Sequence, residues 1–210
     1  MGAAKRLVKR ALEPVYCTVA SRFSRVRFAL VKPVIPQLEI GSGPVKRDGW
    51  LTLDWCYGVD VVWDLRKTLP FADSTFARVY GSHVLEHFRY TDLKRLLADV
   101  YRVLRPGGEL LIAVPDASLY VDAYVKRLDT THLQRYAPAV ISSQPMDALN
   151  YMFYMDGHHR FMFDEENLTF HCRQAGFVDC RRRPFESGLD LESRDHESLY
   201  LRCRKPADQR

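Results

Sequence analysis

The strongest constraint in this chain is a rhythm of short apolar runs that each end on glycine or an acid. Gln37–Ile40 ends in Gly41-Ser42-Gly43-Pro44, Trp50–Asp54 in its own aspartate, Val59–Trp63 in Asp64, and Phe76–Tyr80 in Gly81-Ser82-His83. A helical pattern follows from about Val84 to Leu104, with Leu93, Leu96, Leu97, Val100, Val103 and Leu104 on one face. Arg105-Pro106-Gly107-Gly108 stops it. Glu109–Val114 is a fifth run, closed by Pro115-Asp116, and Asp164 caps a helix through Gln174 that Gly176 ends. Phe177–Phe185 and Glu197–Arg204 read as a closing pair of strands. Strands alternating with helices predict an α/β fold with a mostly parallel sheet. Such sheets bind ligands beyond the carboxyl ends of their strands, at the point where strand order reverses. The glycine, acid and histidine residues here all fall at those ends. Residues 117–163 are irregular and aromatic-rich, and are expected to form a substrate or lid region.

Composition sharpens this reading in one respect. The 210 residues, 47% of them hydrophobic, suffice for one core and exclude a disordered chain or a disulfide-stapled peptide. The net charge of +5 is unevenly spread: residues 1–33 hold eight basic side chains against Glu13, whereas residues 34–210 hold 23 basic and 25 acidic ones. The expected organisation is therefore a basic arm, residues 1–33, and a single domain, residues 34–210. In the arm Leu7, Val8, Ala11, Leu12, Val15, Tyr16 and Val19 recur at helical spacing, with a break expected at Pro14. A cap over the ligand cleft, a dimer contact, an anionic membrane surface and an acidic ligand are all open as its role. The acidic body argues against a broad phosphate footprint, so nucleic acid is disfavoured as a partner. Five cysteines without a CxxC pair read as reduced thiols of a cytoplasmic protein, peripheral at the inner membrane face if the arm binds lipid. An arginine-to-lysine ratio of 23 to 8 fits a GC-rich bacterial genome.

The first glycine turn is not the dinucleotide fingerprint, because no third glycine follows. The gap to the next run is also shorter than a parallel crossover normally takes, so the first helix should be nearly absent. Glu39-x-Gly41-x-Gly43, then Asp54, Asp64 and Leu104-Arg-Pro-Gly-Gly-Glu-Leu-Leu occur in order. This set resembles class I S-adenosylmethionine-dependent methyltransferases, over residues 37–116 and more loosely 164–204. Gly81-Ser82-His83-Val84-Leu85-Glu86-His87 is similar to small bacterial methyltransferases of polysaccharide synthesis. The resemblance implies a Rossmann-like, mostly parallel seven-stranded sheet with helices on both faces and one antiparallel strand from the final hairpin. It implies that Gly41, Ser42 and Gly43 approach the methionine part of S-adenosyl-L-methionine while Glu39 orders its amino group. Asp54 would accept from the ribose, Asp64 and Leu65 would meet adenine, and the Gly81–Ser82 backbone would lie along the methionine.

Methyl transfer from a sulfonium needs alignment of the acceptor, exclusion of water and, for an alcohol, a base. His83 stands where the resemblance puts the methyl group and is the favoured base, assisted by His159 or Glu86, with His87 beside them. A loop, Asp156-Gly157-His158-His159-Arg160, is the expected substrate side. Asp116, Tyr120, Tyr154 and His158 are candidate substrate contacts, although plain packing is the more frequent role of such aromatics. Asp116, Asp156 and His158 could hold a divalent cation against an acceptor hydroxyl. A rival reading takes His83-Val84-Leu85-Glu86-His87 as an H-x-x-E-H zinc-hydrolase motif with Glu165 or Glu166 as third ligand. The favoured function is O-methylation of a sugar or oligosaccharide in polysaccharide or glycolipid biosynthesis, with a small-molecule or nucleic-acid methyltransferase as the alternative.

Overall fold

In the computed structural model, residues 3–31 and 33–207 are described, with side chains for all of these except residues 3–11 and 29. The arm's Lys5, Arg6, Leu7, Val8, Lys9, Arg10, Ala11 and Lys32 side chains therefore lie outside the described residues. Strands β1 (Gln37–Ile40), β2 (Leu51–Asp54), β3 (Val61–Val62), β4 (Phe76–Ser82), β5 (Leu104–Pro115), β6 (Val178–Arg182) and β7 (Ser198–Arg204) form one sheet. Its order is β3-β2-β1-β4-β5-β7-β6. The first five strands run parallel, while β7 lies antiparallel to both β5 and β6. This is the Rossmann-like class I methyltransferase fold. Strand order reverses between β1 and β4, so the loops after Ile40 and Ser82 open side by side.

Among the described residues the α-helices are α1 (Ala3–Leu30), α2 (Tyr90–Val103), α3 (Ala117–Lys126), α4 (Pro145–Tyr154) and α5 (Glu165–Gln174). In α2 the buried residues Leu93, Leu96, Leu97, Val100 and Val103 recur every three or four positions, as an amphipathic helix on a sheet requires. The Asp164 side chain caps α5 by accepting from the Asn167 amide at 2.8 Å. No helix intervenes between β1 and β2 or between β2 and β3, in keeping with the short crossover.

The two sheet faces are closed differently. Leu38, Leu53, Val79, Ile112 and Leu201 share the main core with residues of α2 and α5 and with Phe28 of α1. The opposite face carries a small cluster of Trp50, Tyr80, Leu111 and Leu189, closed by the chain after β6 and by few helical contacts. There Asp190, buried, accepts from Arg183 (2.5 and 2.7 Å), the Glu186 amide (2.8 Å) and the Tyr80 hydroxyl (3.1 Å). Helices are thus weighted to one face, since the missing crossovers are those that would have covered the other.

The expected break at Pro14 does not occur, and α1 continues through it. The buried stripe Cys17, Ser21, Ser24 and Phe28 seats the helix against the body and holds it despite the absent proline amide. Tyr16 stacks on Tyr57 with ring centroids 4.1 Å apart, and Glu13 accepts from the Tyr57 amide. Leu12, Val15, Val19, Phe23, Val26 and Leu30 form an exposed apolar stripe on the outer side. Among the described residues no helix is long and apolar enough to cross a membrane. Cys17, Cys172, Cys180 and Cys203 are free thiols.

Residues 117–163, irregular by sequence, carry α3 and α4 and a second core of Tyr120, Leu133, Ala139, Ala148, Tyr151, Met152 and Met155. Their order was hidden because their apolar residues pack on one another and not in the sheet's rhythm.

The Arg183–Asp190 pair gives a direct test of how the second face is closed. Asp190→Ala strands a guanidinium whose side chain is 6% exposed. Loss of one partner of a buried pair should cost about 3–5 kcal/mol in urea unfolding; an effect below about 1 kcal/mol would show that the face relaxes without it.

Candidate active site

Two clefts open at the carboxyl ends of the strands. The first, about 460 Å³, is lined by Gly41, Gly43, Asp54, Trp55, Trp63, Asp64, Leu65, Arg66, His83, Val84, His87 and Phe88. Gly41 has φ +65°, and a Cβ there would come within 2.2 Å of Val84 Cγ2, so only glycine lets the backbone approach this closely. Asp54 orders the loop: its Oδ2 accepts from the Gly43 amide (2.7 Å) and its Oδ1 from the Trp55 amide (2.5 Å). Asp64 accepts from the Arg66 amide (3.0 Å) and guanidinium (2.9 and 3.1 Å). Burial raises the Asp64 carboxyl, but the Arg66 hydrogen bonds outweigh it and keep the group below its ordinary range.

Three expected cofactor contacts sit elsewhere. Glu39 points to the other sheet face, where Arg47 holds both oxygens at 2.8 and 3.2 Å. Arg47 also donates to the Gly188 carbonyl at 2.6 Å, so Glu39 belongs to the scaffold. The Ser42 hydroxyl donates to the Gly43 carbonyl, and neither Ser42 nor Ser82 lines the cleft. Trp55, Trp63 and Arg66 are lining residues that sequence reasoning missed; their adjacency to the two strand-end aspartates was the available signal.

The second cleft, about 420 Å³, is lined by Glu86, His87, Arg135, Tyr136, Tyr151, Met155, His158, His159, Ser193, Arg194, His196 and Glu197. His87 lines both clefts. Glu86 and His87 sit in a single 3-10 turn, Leu85–His87, that precedes α2 and does not begin it. The Glu86 carbonyl accepts from the Arg160 (2.8 Å) and Phe161 (3.2 Å) amides, which ties this turn to the segment carrying His159.

His83 is not available as the base. It follows β4 with φ +52°, outside the turn, and its side chain is 5% exposed. Arginine can only donate, so the Arg194 contact at 3.1 Å occupies the Nδ1 lone pair. The Ser198 hydroxyl donates to the Arg194 carbonyl at 2.7 Å, so it accepts from His83 Nε2–H at 2.8 Å. Burial, and then the Arg194 charge, push the His83 pKa well below its ordinary value. The sequence could not show this, because Arg194 and Ser198 lie more than a hundred residues away.

His87 and His159 are arranged differently. His87 Nδ1 donates to the His158 carbonyl (3.0 Å) and His159 Nδ1 to the Met152 carbonyl (2.6 Å). Each neutral ring therefore carries its lone pair on Nε2, and the His83 backbone also lies within reach of the His87 ring. Burial lowers both pKa values, that of His159 to about 4. Glu86, 1% exposed, has no hydrogen bond to either carboxyl oxygen, and burial pushes it up to about 8.

The expected substrate contacts fare unevenly. His158 lines the second cleft. Tyr120 is fully buried and shares its one hydroxyl proton between the Leu133 carbonyl (3.1 Å) and Glu197 (3.2 Å), so it is core. Tyr154 is exposed and lines neither cleft. Asp116 caps α3 through Ser118, as a helix-starting aspartate does. Among the described residues Asp116, Asp156 and His158 do not come together as cation ligands. The H-x-x-E-H reading fails as well, because His83 and His87 do not share a helix and Glu165 faces Arg182 at 3.7 Å. Arg135, Arg194, His196 and Glu197 were missed, as they come from segments without a recognisable motif.

Comparison with known proteins agrees with this geometry. Residues 38–112 match the family model of a methyltransferase domain. The chain is 28% identical to a demethylmenaquinone methyltransferase of Renibacterium salmoninarum over 62% of this chain and 53% of the relative. It is 32% identical to a ubiquinone/menaquinone biosynthesis C-methyltransferase of Desulfotalea psychrophila over 68% of this chain and 54% of the relative. The chain thus spans about half the length of these relatives. The solved S-adenosylmethionine-dependent methyltransferase of Mesorhizobium loti superposes with a TM-score of 0.50 at 15% identity, covering 84% of this chain and 94% of that one. S-adenosylmethionine is the cofactor of this fold, and the first cleft fits it. The cleft offers a glycine cradle that a Cβ would fill, two strand-end carboxylates for hydroxyl and amino groups, and the rings of Trp55 and Trp63 for a flat base.

Gly41→Ala should lower S-adenosylhomocysteine affinity in calorimetry by at least about tenfold, because the methyl displaces Val84 from the cleft wall. Gly43→Ala meets nothing within 4 Å and should suffer only its φ of +61°, about 1–2 kcal/mol of stability. Equal affinities for both variants and the parent would show that the ligand does not use this cradle.

Proposed function

We propose that this chain is an S-adenosylmethionine-dependent O-methyltransferase acting on a hydroxyl of a sugar or oligosaccharide. The observation that carries the reading is that His87 lines both clefts, so an acceptor in the second reaches the inner end of the first. S-adenosylmethionine, when bound, supplies a methyl group on a sulfonium, which a correctly aligned oxygen takes in one in-line displacement. Gly41, Asp54, Asp64 and Leu65 hold the donor side. Glu86, His87 and His159 hold the acceptor oxygen and relieve it of its proton, so that the oxygen gains the methyl and the proton leaves to solvent. Tyr136 and Tyr151 offer ring surface, and Arg135, Arg194, His196 and Glu197 offer hydrogen-bonding groups, a mixture suited to a polyhydroxylated ligand.

A second reading, C-methylation of a quinol ring, is favoured by the activities of the two relatives. Four charged side chains in the second cleft, Glu86, Arg135, Arg194 and Glu197, count against it, because an aromatic ring with an apolar chain would desolvate them without pairing them. Incubation with methyl-labelled cofactor and parallel panels of oligosaccharides and quinols separates the two. Label on a sugar oxygen supports the proposal, and label on a ring carbon overturns it. His159→Ala should lower kcat by about 10²–10⁴-fold, the usual worth of proton removal, while S-adenosylhomocysteine affinity stays at the parent value.

The exposed stripe on α1, with Arg22, Arg25 and Arg27 also exposed, supports a place for the protein on the inner membrane face, next to lipid-linked acceptors. Flotation with anionic but not with neutral vesicles is the expected result, and Phe23→Glu should abolish it.

A further inference from the structure

We infer that Glu86, His87 and His159 form a binding site for one divalent first-row transition metal ion of the zinc or manganese type. One ligand atom from each of the three lies within 4.8 Å of the others. His87 Nε2 stands 3.8 Å from Glu86 Oε1, and the two imidazole rings are 5.3 Å apart at 64°.

Independent features make this more than proximity. The Glu86 side chain is 1% exposed and neither oxygen has a hydrogen-bond partner, an arrangement that costs free energy unless something binds there. Each imidazole donates Nδ1–H to a backbone carbonyl, which fixes the ring and leaves Nε2 unprotonated. This outer contact is the usual orienting partner of a metal-bound histidine. The amide contacts of Arg160 and Phe161 to the Glu86 carbonyl hold the two ligand-bearing segments together without any ion. Two imidazoles with one carboxylate suit zinc, manganese or iron better than magnesium or calcium, which prefer all-oxygen sets. Arg194, a competing cation in the same cleft, is already engaged by His83 and faces Glu197 at 3.8 Å.

Three protein ligands leave positions open toward the second cleft. A hydroxyl bound there would lose its proton to solvent more readily and meet the methyl group as an alkoxide. That use of the ion rests on the methyltransferase reading above, whereas the binding site itself does not. Under it, His87 and His159 act as ligands and not as free bases.

The test uses the full, untagged chain, stripped with a chelator and titrated calorimetrically with zinc chloride and, separately, manganese chloride. S-adenosylhomocysteine is titrated in parallel. One equivalent of at least one metal should bind. His87→Ala, at a half-exposed position, and Glu86→Gln should each weaken that binding by about 100-fold, and Glu86→Gln, in the second cleft and away from the first, should keep S-adenosylhomocysteine affinity. Cobalt substitution should give visible d–d absorption that His87→Ala abolishes. Absence of stoichiometric binding, or binding unchanged in His87→Ala, would overturn the site. Metal binding without S-adenosylhomocysteine binding would leave the site standing and overturn the cofactor reading instead.

Discussion

The parallel pairing of β1 with β4 is the constraint on which the rest of this molecule depends. It sets Ile40 beside Gly81, so the chain leaves two adjacent strands in opposite lateral directions and a crevice opens between the exits. Gly41 turns at one rim and His83 at the other, and Val84 closes on Gly41 so tightly that no side chain fits. From that rim the Leu85–His87 turn swings Glu86 and His87 into the second cleft. A cofactor cradle and a polar cluster are thereby placed a few residues apart by the same strand pairing.

The second cleft needs more than the sheet. Its far wall comes from residues 135–159, whose own core holds Tyr151 and Met155 in place, and from the chain before β7, which brings Arg194 and Glu197. Glu197 also accepts from the buried Tyr120 hydroxyl at 3.2 Å, so the wall and the helical region are tied together. The first cleft thus rests on strand ends, and the second on segments that lie largely outside the sheet.

What the sequence revealed follows the same division. Strand ends were legible because a short apolar run ending in glycine or aspartate fits a strand leaving the sheet and little else, and Gly41, Gly43, Asp54, Asp64 and Leu65 all line the first cleft. The near-absence of the first crossover helix was legible from chain length alone. Partners distant in sequence were not. Glu39 looked like a ligand because Arg47's grip on it is a tertiary fact. His83 looked like the base until Arg194 and Ser198 were seen to occupy both its nitrogens. Asp116 and Tyr120 resembled site residues and prove to be a helix cap and a core side chain. The cluster that does assemble joins Glu86 and His87 to His159, from a region whose helices gave no periodic signal.

If the two clefts work as one site, the transferring end of the cofactor faces Glu86, His87 and His159 across their junction. A crystal structure with S-adenosylhomocysteine tests this most directly. The adenosine is expected between Asp54, Asp64 and the Trp55 and Trp63 rings, with the sulfur turned toward His87. Adenosine in the cleft lined by Tyr136 and Arg194, or a sulfur directed away from His87, would contradict it.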